Sequence, residues 1–316
     1  MTAAAPRSID QYLSQLRAAL AGEDSALVQD ALYDAEEYLR AEVAAHSDKS
    51  ESDVLELIAS TYGDPEEVAA AYRDTEVKVK AALKTPTRAT ATKKGALRKF
   101  FDVYLDPRAY MSVFFMLLTL ATGIIYFTFA VTGLSLSAGL AVLIIGVPFF
   151  LAFIGLSRVL SLAEGRLIEA VTGERMPRRP VHPGPSAGFW SRVGSMLKDV
   201  RTWTTLAYFM LMLPIGIAYF TITVATLAIS LSFIFAPAAE LGIRLGLLPH
   251  SLWGDGDFQF ASGDLSPAWI GTTWLLPVWV LAGVLLMTVF MHTARGVGRL
   301  HAGFAKAMLV AHQAIT

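Results

Sequence analysis

Apolar residues recur every three or four positions through the first 84 residues, and this spacing predicts short amphipathic helices. A capping pattern from Ser8 to Gln11 opens the first helix, and Gly22 ends it. A third, short helix ends at Gly63, and Pro65 fits the first position of a fourth. The second helix carries four acids on the face opposite its apolar stripe: Asp30, Asp34, Glu36 and Glu37. Residues 1–84 are therefore predicted to form a helical head.

Long apolar runs begin only after the head, and each is close to the roughly 20 residues that a helix needs to cross hydrocarbon. The predicted spans are Ala109 to Val131, Leu136 to Leu156, Thr204 to Ala228 and Thr273 to Met291. The third run stays apolar through residues 229–248, which either extend the third span, form an outer interfacial helix or add a further span. The sequence thus predicts an all-α protein, in which a small helical domain precedes a polytopic membrane domain of four spans.

Basic residues predict the orientation in the membrane. A basic, Thr-rich linker, residues 85–105, precedes the first span, and its cations either attract anionic lipid headgroups or only orient that span. Residues 158–201 and the C-terminal tail are also basic, whereas residues 229–272 contain Arg244 as their only lysine or arginine. The positive-inside rule places the head, the middle segment and both termini in the cytosol, on the inner side of a bacterial inner membrane. No signal peptide is expected, because the start of the chain lacks a short apolar core behind basic residues.

The membrane part repeats itself at a constant offset of 93 residues. The residues that recur without a gap include Asp106, Arg108, Gly123, Tyr126 and Thr128, which match Asp199, Arg201, Gly216, Tyr219 and Thr221. The membrane domain, residues 106–316, is therefore predicted to contain two parallel repeats, residues 106–180 and 199–316.

Six of the repeated residues are candidate site residues: Arg108, Arg201, Gly123, Tyr126, Gly216 and Tyr219. The two Asp-x-Arg motifs either cap and anchor the first helix of each repeat or hold a ligand. The glycines and tyrosines either allow close helix packing or line a pocket for a lipid or another ligand.

An acidic and aromatic stretch between the third and fourth spans is a candidate outer sensing loop, with Trp253, Asp255 and Asp257 as its central residues. Its aromatic residues are expected to rest on the outer headgroups. A divalent cation is the alternative, but the acids lack the spacing of a calcium-binding loop. No metal site is predicted there.

Composition argues against most kinds of chemistry. The chain is 54% hydrophobic and 17% charged, which is typical of a membrane protein and not of a soluble enzyme. It has no cysteine, and its six histidines lack metal-ligand spacing. Phosphate-binding loops and nucleophile elbows are absent from the sequence, so no cofactor and no catalytic residue are predicted. The predicted spans are almost free of ionisable residues, which argues against ion transport.

The head resembles the HAAS-type helical domain of bacterial signalling proteins in two segments, Ile9 to Leu16 and Tyr62 to Ala69. The membrane part is similar to the four-helix Sensor domain that serves as an input module of actinobacterial histidine kinases. This second resemblance rests on Asp106 to Tyr110, the two Gly-Ile-x-Tyr-Phe-Thr segments, Gly146 to Pro148 and the basic helix 157–173 between the repeats. No kinase module follows Thr316, so any output is expected to pass through another protein.

These features together predict a non-enzymatic inner-membrane sensor that relays an envelope or lipid signal through its head to a regulatory partner. We expect the acidic face of the head to contact either that partner or the basic helix between the repeats. The alternatives are an accessory subunit of a membrane transport complex and a lipid-binding protein. Membrane lipids are expected partners, direct nucleic-acid binding is not, and self-association stays open.

Overall fold

The computed structural model describes residues 5–83, 95–143, 145–179, 194, 196–249 and 276–310. Every regular element within these ranges is a helix, which confirms the all-α prediction. The helices are α1 Ile9–Ala19, α2 Ser25–Ala45, α3 Glu51–Ala59, α4 Pro65–Leu83, α5 Ala96–Phe101, α6 Pro107–Leu140, α7 Gly146–Thr172, α8 Val200–Arg244 and α9 Leu276–Leu309. A 3₁₀ turn, Asp102–Leu105, joins α5 to α6.

Helices α1 to α4 form the head around a core of their own. The predicted cap of α1 is present, because the Ser8 hydroxyl accepts from the Gln11 backbone N–H at 3.2 Å. Gly63 has φ +100°, a conformation that favours glycine, and its carbonyl accepts from the Tyr12 hydroxyl at 2.8 Å. The fully buried side chains of this core include Leu16, Leu20, Ala31, Leu39 and Val54. The apolar stripes that the sequence predicts therefore meet inside the head.

Four helices of the described chain are long and apolar enough to cross a membrane: α6, α7, α8 and α9. The chain is thus a multi-pass membrane protein. The predicted start of the second span was wrong, because α6 continues to Leu140 and α7 begins only at Gly146. Residues 141–143 turn the chain after α6. Gly146 could not carry a side chain, since its Cβ would lie 2.1 Å from the Leu140 carbonyl oxygen.

Two helices are longer than their predicted spans. Helix α7 runs without a break from the second span into the basic segment 157–172 and ends at Gly173, whose φ is +72°. Helix α8 continues to Arg244 with Pro237 inside it, so residues 229–244 extend the third helix and do not form a separate one. A membrane helix tolerates an internal proline because neighbouring groups satisfy the freed carbonyl.

The chain divides into two compact units. The first unit contains the head together with residues 124–212 and 299–316, and the second contains residues 92–123 and 213–298. Both candidate sites described below lie within the first unit.

In the second unit, the segment before α6 is folded against α9. Residues 96–105 of the predicted linker are helical, and residues 84–94 lie outside the described residues. The Phe100 carbonyl lies 2.9 Å from His292 Nε2, and Asp106 pairs with Arg295 at 3.3 Å. The second half of the linker is therefore an ordered part of the membrane domain.

Candidate functional site

A short segment after α7, residues 173–179, lies against the head. We call it the connector, and we call its contact with the head the ionic junction. Three acids of the head and three arginines of the connector form this junction: Asp30, Asp34, Glu76, Arg175, Arg178 and Arg179.

Asp30 is the central acceptor of the ionic junction. Its Oδ1 accepts from the backbone N–H groups of Arg178 and Arg179, both at 2.8 Å, and its Oδ2 accepts from Arg175 Nη2 at 3.1 Å. The side chains of Asp30 and Arg175 are both buried. Burial raises the pKa of the Asp30 carboxyl, against the lowering effect of the two amides and of the Arg175 guanidinium.

The other two acids surround this centre. Glu76 Oε2 lies 3.1 Å from Arg175 Nε, and Asp34 Oδ1 lies 2.9 Å from Arg179 Nε. The Tyr72 hydroxyl donates to the second oxygen of Asp34 at 3.0 Å, which fixes the orientation of that carboxylate. Burial followed by the Asp34 charge raises the pKa of Tyr72, so the phenol keeps its proton.

The connector is held in shape by the last turns of α7. Glu169 Oε1 accepts from Arg178 Nη2 at 2.8 Å, and its Oε2 accepts from the Met176 backbone N–H at 3.2 Å. The hydrogen bond that Arg178 donates to Glu169 is the main cause that raises the pKa of Arg178. One buried carboxylate therefore orders the loop that carries the arginines.

Helices α8 and α9 also contact the head. Arg201 Nη1 donates to Gln29 Oε1 at 3.2 Å, and Gln29 Nε2 in turn donates to the Arg179 carbonyl at 2.6 Å. Near the end of α9, Lys306 Nζ donates to Asp24 Oδ2 at 2.7 Å and to Glu174 Oε1 at 3.2 Å. The head is thus held by the connector and by one end of each of these two helices.

A second polar cluster is buried within the membrane helices of the same unit. We call it the Glu164 network. Glu164 has no exposed surface, and its two oxygens accept from the hydroxyls of Tyr126 and Tyr208, each at 2.9 Å. The Tyr208 oxygen lies 3.1 Å from His301 Nε2. The network joins α6, α7, α8 and α9 through titratable groups, a combination that is costly inside a membrane and commonly functional.

One family model matches residues 115–309, about three fifths of the chain. It is the Sensor family, described as "Putative sensor". The chain belongs to the Sensor family. Comparisons with curated proteins and with solved structures gave no significant match. The Sensor region contains the connector and all four residues of the Glu164 network, whereas the head precedes it.

The two Asp-x-Arg motifs of the Sensor chain cap helices, as one of the two sequence interpretations predicts. Asp106 Oδ1 accepts from the Arg108 backbone N–H, and Asp199 Oδ1 from that of Arg201, both at 3.0 Å. The two aspartates then pair with different cations, Arg295 and Arg158. The side chain of Arg201 contacts the head, so this arginine also belongs to the attachment of the head.

The repeated glycines and tyrosines differ in their surroundings. Gly123 and Gly216 are both buried, and a Cβ on Gly216 would lie 2.5 Å from the Thr119 carbonyl oxygen. Tyr126 is buried in the Glu164 network, whereas Tyr219 is half-buried. The predicted repeat and a shared site for these residues stay predictions.

The four acids of the candidate partner surface have separate surroundings. Asp30 and Asp34 are engaged in the ionic junction. Glu36 is buried and pairs with Arg40 at 2.7 Å within α2, and Glu37 is exposed. The candidate loop residues Trp253, Asp255 and Asp257 lie outside the described residues.

Sequence reasoning missed the Glu164 network. The predicted second span ends at Leu156, which places Glu164 in the cytosolic helix that follows, whereas the structure has one continuous helix through both segments. The available signal was that Glu164 lies in a helix that continues without a break past Leu156. In the sequence, the connector arginines predict only the orientation of the spans. They lie just after the basic helix 157–173, which is the segment expected to contact the acidic face of the head. Within the described residues, no group of three candidate ligands could hold a metal ion.

Proposed function

We propose that this chain is a non-enzymatic membrane sensor that passes an envelope or lipid signal through its N-terminal head to a cytosolic partner protein. The single observation that carries the proposal is the ionic junction, because it joins a separate helical domain to the connector of a Sensor-family membrane region. A movement of α7 that displaces the connector would change which acids of the head are covered.

The head supports the partner part of the proposal. Its resemblance to the HAAS-type domain in the segments Ile9 to Leu16 and Tyr62 to Ala69 associates it with bacterial signalling. Its acids are unequally covered, since Asp30 is buried under the connector while Glu37, on the same helix, is exposed. A partner with a basic surface could therefore bind at Glu37 and gain Asp30 and Asp34 when the connector leaves. The charge distribution supports an inner-membrane location with both termini in the cytosol.

In-cell photo-crosslinking from position 37 tests the proposal. A photoreactive residue replaces Glu37 in the full chain, and mass spectrometry identifies attached proteins. We expect a cytosolic regulator whose yield changes several-fold when Asp30→Arg opens the junction by charge repulsion with Arg175. Asp48→Lys, a charge reversal at an exposed loop residue, is the matched control and leaves the yield unchanged.

The outcome that rejects the relay is equally specific. If only transporter subunits attach to position 37, or if the yield is the same in Asp30→Arg and the unmodified chain, the head does not pass a signal through the junction. Transporter subunits would favour the accessory-subunit alternative.

Lipid binding is a second candidate, and one observation favours it. Helices α6 and α7 form an apolar groove of about 680 Å³ within the membrane-spanning segments. Its lining includes Ile124, Phe129, Gly133, Phe149, Phe153 and Leu156. A tightly retained lipid in the purified protein, lost when Ala152→Phe fills the groove, would support this candidate, and purification without any retained lipid would reject it.

A further inference from the structure

We propose that Glu164 is a protonation switch that controls how tightly the head is held at the ionic junction. This inference rests on the proposed function, since its output is the same junction, and it names the regulation of that junction.

The hydrogen bonds of the network define one protonation state. An ionised carboxylate only accepts, and both phenols donate to Glu164. Tyr208 has a single hydroxyl proton, which goes to Glu164, so the Tyr208 oxygen accepts from His301 Nε2–H. The arrangement is consistent throughout when Glu164 carries the negative charge.

A proton from bulk water breaks this arrangement. Binding at either Glu164 oxygen forms an O–H bond and turns that oxygen from an acceptor into a donor. A proton on the oxygen that faces Tyr126 makes that phenol the acceptor, so the Tyr126 proton loses Glu164 as its partner. A proton on the oxygen that faces Tyr208 makes Tyr208 accept from Glu164, and the Tyr208 proton then goes to His301 Nε2, which requires the other tautomer of the imidazole. Either change reverses the direction of a buried hydrogen bond between helices, and we expect the four helices to pack differently when Glu164 is neutral.

The titratable and charged groups around Glu164 have partners or face solvent, so Glu164 is the group whose protonation the switch uses. Tyr126, Tyr208 and His301 face it from α6, α8 and α9. Along α7, Arg166 is exposed. The neighbouring charges Arg158 and Glu169 pair with Asp199 and Arg178.

Three helices connect the network directly to the head. Glu164 lies five residues before Glu169, which orders the connector, or about 7.5 Å along α7. Tyr208 lies seven residues after Arg201, about 10 Å along α8, and His301 lies about 7.5 Å before Lys306 along α9. A repacking at the network therefore reaches every attachment point of the head within one or two helical turns.

Hydrogen exchange of the full chain in phosphatidylcholine and phosphatidylglycerol vesicles tests the switch at one neutral pH. The backbone N–H groups of Arg178 and Arg179 report the junction, because both donate to Asp30. Glu164→Gln holds the network in its neutral form and should raise their exchange rate about tenfold. Ser157→Ala, a buried change on the same helix whose hydroxyl bonds only to its own helix, should leave it unchanged.

The exchange measurement is made at constant pH because Asp30 also titrates. In a pH series, protonation of Asp30 and protonation of Glu164 would both change the exchange of the connector amides. Tyr126→Phe keeps the ring and removes one donor, so it gives a second route to the same faster exchange if Glu164→Gln fails to fold. Infrared spectroscopy of the unmodified chain between about pH 8 and about pH 5 should show protonated carboxyl bands on acidification. Glu164→Gln should lack one of these bands, and Asp30→Asn, which removes an acid whose pKa burial raises, should keep it.

Two results would overturn the inference. The first is that Glu164 keeps one protonation state between about pH 8 and about pH 5. The second is that Glu164→Gln and Tyr126→Phe both leave the exchange rate of the Arg178 and Arg179 amides unchanged. Neither readout uses a partner protein, so failure of the relay, seen by crosslinking, is distinguishable from failure of the switch.

Discussion

Asp30 is the residue on which the attachment of the head depends most. It satisfies two connector amides and one guanidinium from a buried position. Without it, Arg175 would keep a buried charge next to Glu76 alone, and two amides would lose their acceptor. Removing one partner of a buried pair is far more costly than the pair itself is stabilising.

Asp30→Ala should therefore weaken the junction by about 3 kcal/mol. Asp30→Asn should cost less, because its Oδ1 still accepts from the two amides while its NH₂ group faces Arg175. Hydrogen exchange of the Arg178 and Arg179 amides measures both, with Glu37→Gln as the exposed control on the same helix. Equal exchange in Asp30→Ala and Glu37→Gln would show that Asp30 does not hold the connector.

The raised pKa of Asp30 predicts the sign of its pH dependence. An acid whose pKa is raised by docking contributes stability that is present below its ordinary pKa and is lost as the pH rises through the raised pKa. The free energy of junction opening in the unmodified chain, minus that in Asp30→Asn, should therefore increase as the pH falls from about 7 to about 4. A difference that decreases over this range would mean that the charge of Asp30 is favourable in the docked state.

At the scale of the elements, close contacts between membrane helices depend on particular glycines. Gly216 in α8 lies against the backbone of α6, where a Cβ would be 2.5 Å from the Thr119 carbonyl oxygen and 2.9 Å from Leu120 Cα. Backbone atoms cannot move aside as a flexible side chain can. Gly296 in α9 has nothing within 4 Å of the same position.

Gly216→Ala should destabilise the membrane domain by about 1–3 kcal/mol, because the two helices must separate to admit the methyl group. Gly296→Ala is the matched control and should be neutral or slightly stabilising, since alanine favours the helix. Thermal unfolding in mild detergent compares the two midpoints. Identical midpoints would show that α6 and α8 can separate here without cost.

At the scale of the whole molecule, the charges at the centre of the ionic junction are hidden from solvent, whereas Arg178 and Arg179 at its edge are exposed. Burial protects the Asp30, Glu76 and Arg175 side chains from mobile ions. Exposed pairs such as Arg73 with Glu23 are screened by salt and contribute little. The attachment should therefore survive high ionic strength.

Raising the salt from about 0.05 M to about 0.5 M should change the exchange of the Arg178 and Arg179 amides by less than about threefold. The amide of Leu16, in the core of the head, shows in the same experiment that the head stays folded. A tenfold or larger increase at the junction alone would show that exposed, screened charges hold the head.

The sequence by itself determined the local structure. Periodicity placed the apolar stripes of the head, and Ser8 and Pro65 marked the starts of α1 and α4, because the start of a helix depends on neighbouring residues. The predicted end of the third helix at Gly63 was wrong, since α3 ends at Ala59. The length of the apolar runs determined four spanning helices, and the motifs of the membrane part indicated its family. All of these signals act over a few turns of helix.

Only the tertiary structure decided which distant groups meet. Arg175 lies 145 residues after Asp30, and Glu164 lies 38 residues from Tyr126 and 44 from Tyr208. Periodicity showed that Asp30 and Glu37 both lie opposite an apolar stripe. It could not show that the connector would cover Asp30 and leave Glu37 exposed. Such pairings depend on how helices pack in three dimensions, and a pattern read along one dimension does not contain that information.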